Sequence, residues 1–246
     1  NFGDPATVKA INNWCSEHTN GKITEIIDEL GRNVVMVLVN ALYFNAPWLN
    51  PFDEHMTFDA PFYGSVKESK VKMMSRKAYM NYAEYMGCQL VELPYEGGRY
   101  TMYVLLPPKD LDMNEVIGYL SEDAYKTALA SLQPTEVQLR MPKVKAESSL
   151  LLNDSLQKMG IRTAFSAAAD FSGIAEMGPL VLDQVRQKCY VEISEKGTEA
   201  AAVTSAQIRL TSARPSSYEK MTVDRPFVFF IADTQKDNIM FAGRIM

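Results

Sequence analysis

Residues 195–212, Glu-Lys-Gly-Thr-Glu-Ala-Ala-Ala-Val-Thr-Ser-Ala-Gln-Ile-Arg-Leu-Thr-Ser, alternate with a period of two. Thr198, Ala200, Ala202, Thr204, Ala206, Ile208 and Leu210 fall on one face. Glu199, Ala201, Val203, Ser205, Gln207, Arg209 and Thr211 fall on the other. The first face is small and then apolar, and the second is mostly polar, as in a strand with one covered face. Local preference pulls the other way: Ala and Ser are poor strand formers, and Gly197 opens the run. Any half-buried edge strand alternates in this way. The weak strand preference also suits a loop that joins a sheet only under some condition.

The residue pattern separates these readings. Glu195-Lys196-Gly197-Thr198-Glu199-Ala200-Ala201-Ala202, continuing through Val203 and Thr204, closely resembles the hinge of the reactive-centre loop in serpins, the conformational-trap inhibitors of serine proteases. Other segments resemble the same family, in family order. Asn40-Ala41-Leu42-Tyr43-Phe44 with Trp48, Pro51-Phe52 and Thr57-Phe58 is similar to the strand bordering the insertion gap and the segment after it. Glu92-Leu93-Pro94-Tyr95 with Leu105-Leu106-Pro107 is similar to a hairpin of the family. Met141-Pro142-Lys143, Leu156 to Gly160, Ala164 to Ser166 and Asp170 to Ile174 come next. Asp224 to Ile231 and Phe241 to Ile245 close the chain as serpins close.

The bulk numbers agree with a globular chain. With 246 residues, 47% apolar and 22% charged, it can bury a sizeable core in one domain. A net charge of −5 gives no support for binding nucleic acid or an anionic membrane. The longest apolar run, Val34–Phe44, is interrupted by Asn40 and is too short to span a bilayer. Cys15, Cys88 and Cys189 lie far apart, without metal-ligand spacing, and read as free and largely buried thiols.

The pattern predicts an amphipathic helix over 5–19, capped by Asp4-Pro5, with Val8, Ile11, Trp14, Cys15 and His18 on one face and Asn20-Gly21 as its stop. Val34–Phe44 reads as a buried central strand. Residues 45–70, with Pro47, Pro51, Pro61 and Gly64, read as a long irregular connection with short extended pieces. Strands are expected at 78–85, 88–94 and 100–106, the last two joined through Glu96-Gly97-Gly98. Residues 112–131 read as one or two helices, 135–146 as a strand, 150–159 as a short helix before Gly160, and 180–194 as a strand. A hairpin over 227–232 and 239–245 ends the chain. The expected class is α+β, mostly antiparallel sheets with flanking helices, as one domain over 1–246.

Enzyme chemistry finds little footing. The chain has two histidines, no Gly-x-Ser-x-Gly elbow, no phosphate loop and no dinucleotide fingerprint. His18 stands three residues from Cys15, a spacing better explained by helix packing than by nucleophilic catalysis. His55 sits in the Pro-rich stretch without an obvious partner.

The resemblance implies a serine-protease inhibitor that acts as a suicide substrate, without enzyme activity, cofactor or metal. A protease cleaves the loop to the acyl-enzyme stage, and the hinge side then enters the central sheet as an added strand. Small inward residues, Thr198, Ala200, Ala202 and Thr204, leave that path clear, whereas a charge or Pro would obstruct it. Non-inhibitory members commonly carry such obstructions, and a non-inhibitory binding protein or an inert fragment is the alternative. Counting seventeen from Glu195 places the reactive bond at Thr211–Ser212, which favours proteases of elastase or subtilisin type. Cleavage after Arg209 or Arg214 by a trypsin-like enzyme is the other possibility. The family pairs the position of Asn40 with a His under the sheet-opening gap; the matching residue is Gln187, which can still donate and accept. Trp48 matches the Trp at the top of that gap. Serpins carry a large N-terminal portion ahead of the position matching Asn1. The resemblance therefore covers the C-terminal two-thirds of the fold, and a complementary N-terminal segment is an expected partner without which the chain is not expected to inhibit. The family points to an extracellular or periplasmic setting.

Overall fold

A computed structural model describes residues 4–31, 34–174, 180–198 and 217–246. In chain order its elements are α1 (Pro5–His18), β1 (Val37–Tyr43), β2 (Ala46–Pro47), β3 (Phe58–Tyr63), β4 (Glu68–Tyr85), β5 (Cys88–Pro94), β6 (Tyr100–Leu106), α2 (Met113–Tyr119) and α3 (Glu122–Ala130). These are followed by β7 (Gln133–Pro142), β8 (Val144–Leu151), α4 (Asn153–Lys158), β9 (Gln184–Ser194), β10 (Gly197–Thr198), β11 (Glu219–Thr222), β12 (Phe227–Asp233) and β13 (Asn238–Ile245). The class is α+β; among the described residues β1 with β9 and β11 with β7 run parallel, while β10 with β2 and β9, β12 with β13 and β6, β4 with β3, β5 and β7, and β5 with β6 run antiparallel. The chain divides into two compact units, Asn1–Phe44 with Lys145–Val191 and Asn45–Val144 with Glu192–Met246.

In the first unit α1 begins as its sequence dictates. Asp4 Oδ1 accepts from the Ala6 amide at 2.9 Å, and Pro5 occupies the first turn, where no donor is needed. Asn20 and Gly21 both adopt positive φ beyond the helix end. Val8, Ile11 and Cys15 pack with Ile23, Ile26 and Ile27 over the Val37, Val39, Ala41 and Tyr43 face of β1 and over Tyr190. Asn12 fixes the irregular 23–27 segment, accepting from the Ile26 and Ile27 amides and donating to the Ile27 carbonyl at 2.7 Å. Trp14 and His18 depart from the predicted apolar face. Trp14 is 49% exposed and stacks on His18, because the side of the helix they occupy has no layer over it among the described residues.

The expectation of a buried central strand at 34–44 is corrected. The strand is Val37–Tyr43, paired with β9 on one edge only among the described residues, with Leu38 55% exposed. A continuous apolar run shows that a strand can be covered on both faces, but not that both covers are present. β8 also pairs with β9.

The second unit is built on an eight-stranded sheet in the order β11-β7-β4-β5-β6-β12-β13, with β3 on β4. The expected strand at 78–85 extends back to Glu68. Its burial does not alternate there, since Met73, Met74 and Ser75 are buried in succession while β4 passes from β3 to β7. The β5–β6 hairpin turns through Gly97 and Gly98, both at positive φ, as expected. The 112–131 stretch forms two short helices, capped by Asp112 and Ser121. They pack over Leu90, Tyr103, Leu105 and Val228 of the sheet. β7 ends at Pro142, and β8 is a strand that the 135–146 reading did not separate.

Candidate functional site

The segment expected to be the hinge, as far as Thr198, folds back on the strand that leads into it. Glu195 and Lys196 form a two-residue turn, after which Gly197 faces Ser194 and Thr198 faces Ile193 in an antiparallel ladder. On its other edge β10 pairs with β2, Gly197 with Pro47 and Thr198 with Ala46. The Trp48 amide donates to the Lys196 carbonyl at 2.9 Å, and the Phe52 amide to the Glu195 carbonyl at 2.8 Å. Only glycine fits the first ladder position. Gly197 has φ +147°, and a Cβ there would lie 2.3 Å from the Ala46 carbonyl oxygen and 2.6 Å from Pro47 Cα.

Thr198 is fully buried, and its Oγ1 lies 2.6 Å from the Tyr95 hydroxyl, with either group able to donate. Tyr95 is itself fully buried, and burial raises its pKa, so the phenol stays neutral. The Trp48 indole stacks on the Tyr95 ring at 4.4 Å and 14°, and its Nε1–H donates to the Ser194 carbonyl at 2.9 Å. A sandwich of two aromatic rings therefore carries the hinge threonine.

Glu195 holds the turn through its side chain. Its carboxylate is buried; Oε1 accepts from the Thr57 hydroxyl at 2.8 Å and Oε2 pairs with Lys143 Nζ at 2.8 Å. Burial alone would push its pKa up. Hydrogen bonds from Lys143, its own backbone amide and Thr57, with the Lys143 charge, outweigh that and hold it below the usual carboxylate range. Lys196 reaches Glu54 at 3.2 Å on the surface. The arrangement is mechanical rather than catalytic: it holds one end of a chain segment in a ladder.

Of the residues expected to act here, Glu195, Lys196, Gly197, Thr198 and Trp48 are brought together. Asn40 and Gln187 are direct register partners across β1 and β9 in the other unit, and Gln187 Nε2 donates to Cys189 Sγ at 3.3 Å. Glu199, Ala200, Ala201, Ala202, Val203, Thr204 and the Thr211–Ser212 bond lie outside the described residues. Sequence reasoning assigned no role to Tyr95, Thr57 or Lys143. Each stands in a segment that carries the family resemblance, but no local pattern links residues 103, 138 and 52 positions from their partners. Cys15 is buried in the helix-side core, which raises its thiol pKa, while His18 is exposed and hydrogen-bonds the Trp14 carbonyl. That is helix packing, not a nucleophile and its base.

The whole chain, residues 1–246, matches the family described as Serpin (serine protease inhibitor). It is 35% identical over 245 residues to Iripin-8 of Ixodes ricinus, covering 97% of this chain and 61% of that protein. It is 37% identical over 251 residues to the leukocyte elastase inhibitor of Bos taurus, covering 96% and 65%. Among solved structures, the thermophilic serpin tengpin in its native state superposes with a TM-score of 0.89 at 29% identity, covering 99% of this chain and 63% of that one. Human thyroxine-binding globulin, solved as a ligand complex, gives 0.89 at 31% identity, covering 99% and 65%. The chain thus spans less than two-thirds of the length of these relatives, corresponding to their C-terminal portion. With a family match along its whole length, the chain belongs to the serpins, a family of protease inhibitors rather than enzymes.

Proposed function

We propose that this chain is the loop-bearing part of a suicide-substrate inhibitor of serine proteases. The observation that carries the reading is Thr198: fully buried, with ladder partners on both sides, and followed in the sequence by small residues at alternate positions. In this reading the Gly197–Thr198 ladder supports a role as the first rung of an added strand, for whose continuation β1 and β9 would part. Each further rung would gain ~0.5–1.5 kcal/mol of net hydrogen bonding, so a dozen residues make the inserted state much the more stable. The reactive bond in this reading is Thr211–Ser212, with an elastase- or subtilisin-type target. Trypsin-like cleavage after Arg209 or Arg214 is the competing assignment. Asn40, Gln187 and Trp48 would govern opening. An extracellular or periplasmic setting accompanies this reading.

A second reading has its own support, since one structure at 31% identity is a hormone-binding globulin. In that reading the chain is part of a non-inhibitory binding protein, or an inert fragment. Incubating the chain, alone and joined to the N-terminal portion of a full-length relative, with a panel of serine proteases separates the cases. A complex that survives denaturing electrophoresis is expected from the joined form and not from the 246 residues alone. Clean cleavage without a complex in every case would overturn the inhibitory reading.

A further inference from the structure

The unit formed by residues 45–144 and 192–246 carries an open recess of 680 Å³ that shares no residue with the hinge. Three loops enclose it: the end of β3 with the turn after it, the segment between β6 and α2, and Arg225-Pro226 between β11 and β12. The Tyr63 amide donates to the Asp224 carbonyl at 2.7 Å and ties the first of these walls to the third. Arg225 ties the third to the second and is the fixed point of the recess. Its side chain is 18% exposed; Nε donates to the Pro107 carbonyl at 2.9 Å, and Nη1 pairs with Asp224 Oδ1 at 3.0 Å. Its Nη2 has no hydrogen-bond partner among the described residues. A guanidinium held on one side and open on the other is already ordered for a carboxylate.

The charges around the recess balance. Lys109 and Asp110 both line it and are exposed, and neither side chain has a hydrogen bond or ion pair among the described residues. Asp112 spends Oδ1 on the Asn114 amide at 2.7 Å, which leaves Oδ2 for a ligand. Two cations and two carboxylates thus share one recess with the hydroxyls of Tyr63 and Ser65 and the apolar surface of Leu111, Met113 and Pro226. A polyanion would meet Asp110 and Asp112, and a polycation would meet Lys109 and Arg225. A neutral apolar molecule would take water from Arg225 Nη2 and return no acceptor. A zwitterion satisfies both signs at once. Size sets its length: ligand sites run from about 300 to 1,000 Å³ and a cavity of about 150 Å³ already admits benzene, so the recess takes more than a single amino acid. We propose that this recess is a binding site for a zwitterionic di- or tripeptide with free termini, its carboxylate on Arg225 Nη2, its ammonium toward Asp110 and Asp112, and an apolar side chain against Leu111, Met113 and Pro226.

The test is isothermal titration of the 246-residue chain with leucyl-phenylalanine and with its N-acetylated and C-amidated forms. Saturable one-to-one binding of the free dipeptide with Kd below about 1 mM is expected, weakened at least about fivefold by blocking either terminus. Arg225→Gln should weaken the free dipeptide at least about tenfold. Arg225 also holds the Pro107 carbonyl, so Asp110→Asn, at an exposed position, keeps the test open if that variant misfolds. It should weaken the free dipeptide about threefold and leave the N-acetylated form unchanged. With methyl-labelled methionine, the dipeptide should shift Met113 and leave Met74 of β4 and Met141 of β7 unchanged. Absence of saturable binding, equal affinity for free and blocked dipeptides, equal loss of both in Asp110→Asn, or shifts that spare Met113 would each overturn the assignment.

Discussion

Replacing Gly197 with alanine tests whether the hinge is held by its ladder. The native φ of +147° costs a non-glycine residue about 1–3 kcal/mol. The added methyl would also sit 2.3 Å from the Ala46 carbonyl oxygen, 2.6 Å from Pro47 Cα and 2.9 Å from the Trp48 nitrogen. All three are backbone atoms, so no side-chain rotation relieves the overlap. The segment has one escape, which is to leave the ladder. Leaving sacrifices the bonds from the Trp48 and Phe52 amides, the Tyr95–Thr198 bond and the Ser194 hydroxyl bond to the Gly197 carbonyl. Apart from the ladder bonds of β10 to β9 and β2, four such bonds at about 0.5–1.5 kcal/mol each come to about 2–6 kcal/mol, less the chain entropy regained. Gly197→Ala should therefore lower stability by about 2–4 kcal/mol and release the hinge while the eight-stranded sheet persists. Hydrogen exchange read by mass spectrometry should show lost protection in peptides covering 44–52 and 190–198 and unchanged protection in β12. In a Trp14→Phe background, emission from Trp48 should move to the red as its stack on Tyr95 loosens. Wild-type protection and emission in Gly197→Ala would refute the claim that the ladder holds the hinge.

Tyr95→Phe leaves the Thr198 hydroxyl buried without its partner and should cost about 1–3 kcal/mol in urea unfolding, most of it recovered by adding Thr198→Val; equal losses in the single and double variants would count against the bond. The Glu195 carboxyl is held below its ordinary value of 4.5, so its stabilising contribution is fully present above that pH and fades as pH falls through the lower folded value. Glu195→Gln should accordingly flatten the fall in stability between about pH 5 and 3, and an unchanged slope would contradict the pairing with Lys143. In a full-length inhibitor carrying this chain, Thr198→Arg should turn inhibitor into substrate, read as a rise in the moles of inhibitor consumed per mole of protease, because the inward position would bury an unpaired charge. Mass spectrometry of the peptide released by the target protease should show Ser212 as its first residue; Leu210 or Pro215 in that place would move the reactive bond to Arg209 or Arg214.

Much of the fold is written locally. Asp4-Pro5 and Asn20-Gly21 bracket α1, Gly97-Gly98 turns the β5–β6 hairpin, and Gly160 lies just beyond α4, because caps and turns depend on a few adjacent residues. The residues from Glu195 to Thr204, with the other segments in family order, were enough to recognise the family that the whole chain matches. What the sequence could not reveal is what surrounds each element. A run such as Val34–Phe44 reads the same whether one face or two are covered, and the exposure of Leu38 is decided by what packs there. Nor does any pattern say that Tyr95, Thr57 and Lys143 converge on Thr198 and Glu195, 52 to 138 positions away. Local chemistry marked Glu195–Thr198 as a turn and the start of an extended segment. Strand order and the β2–β10–β9 ladder determined where its first rung sits, since long-range pairing depends on which surfaces the folded chain brings together and not on any short stretch of residues.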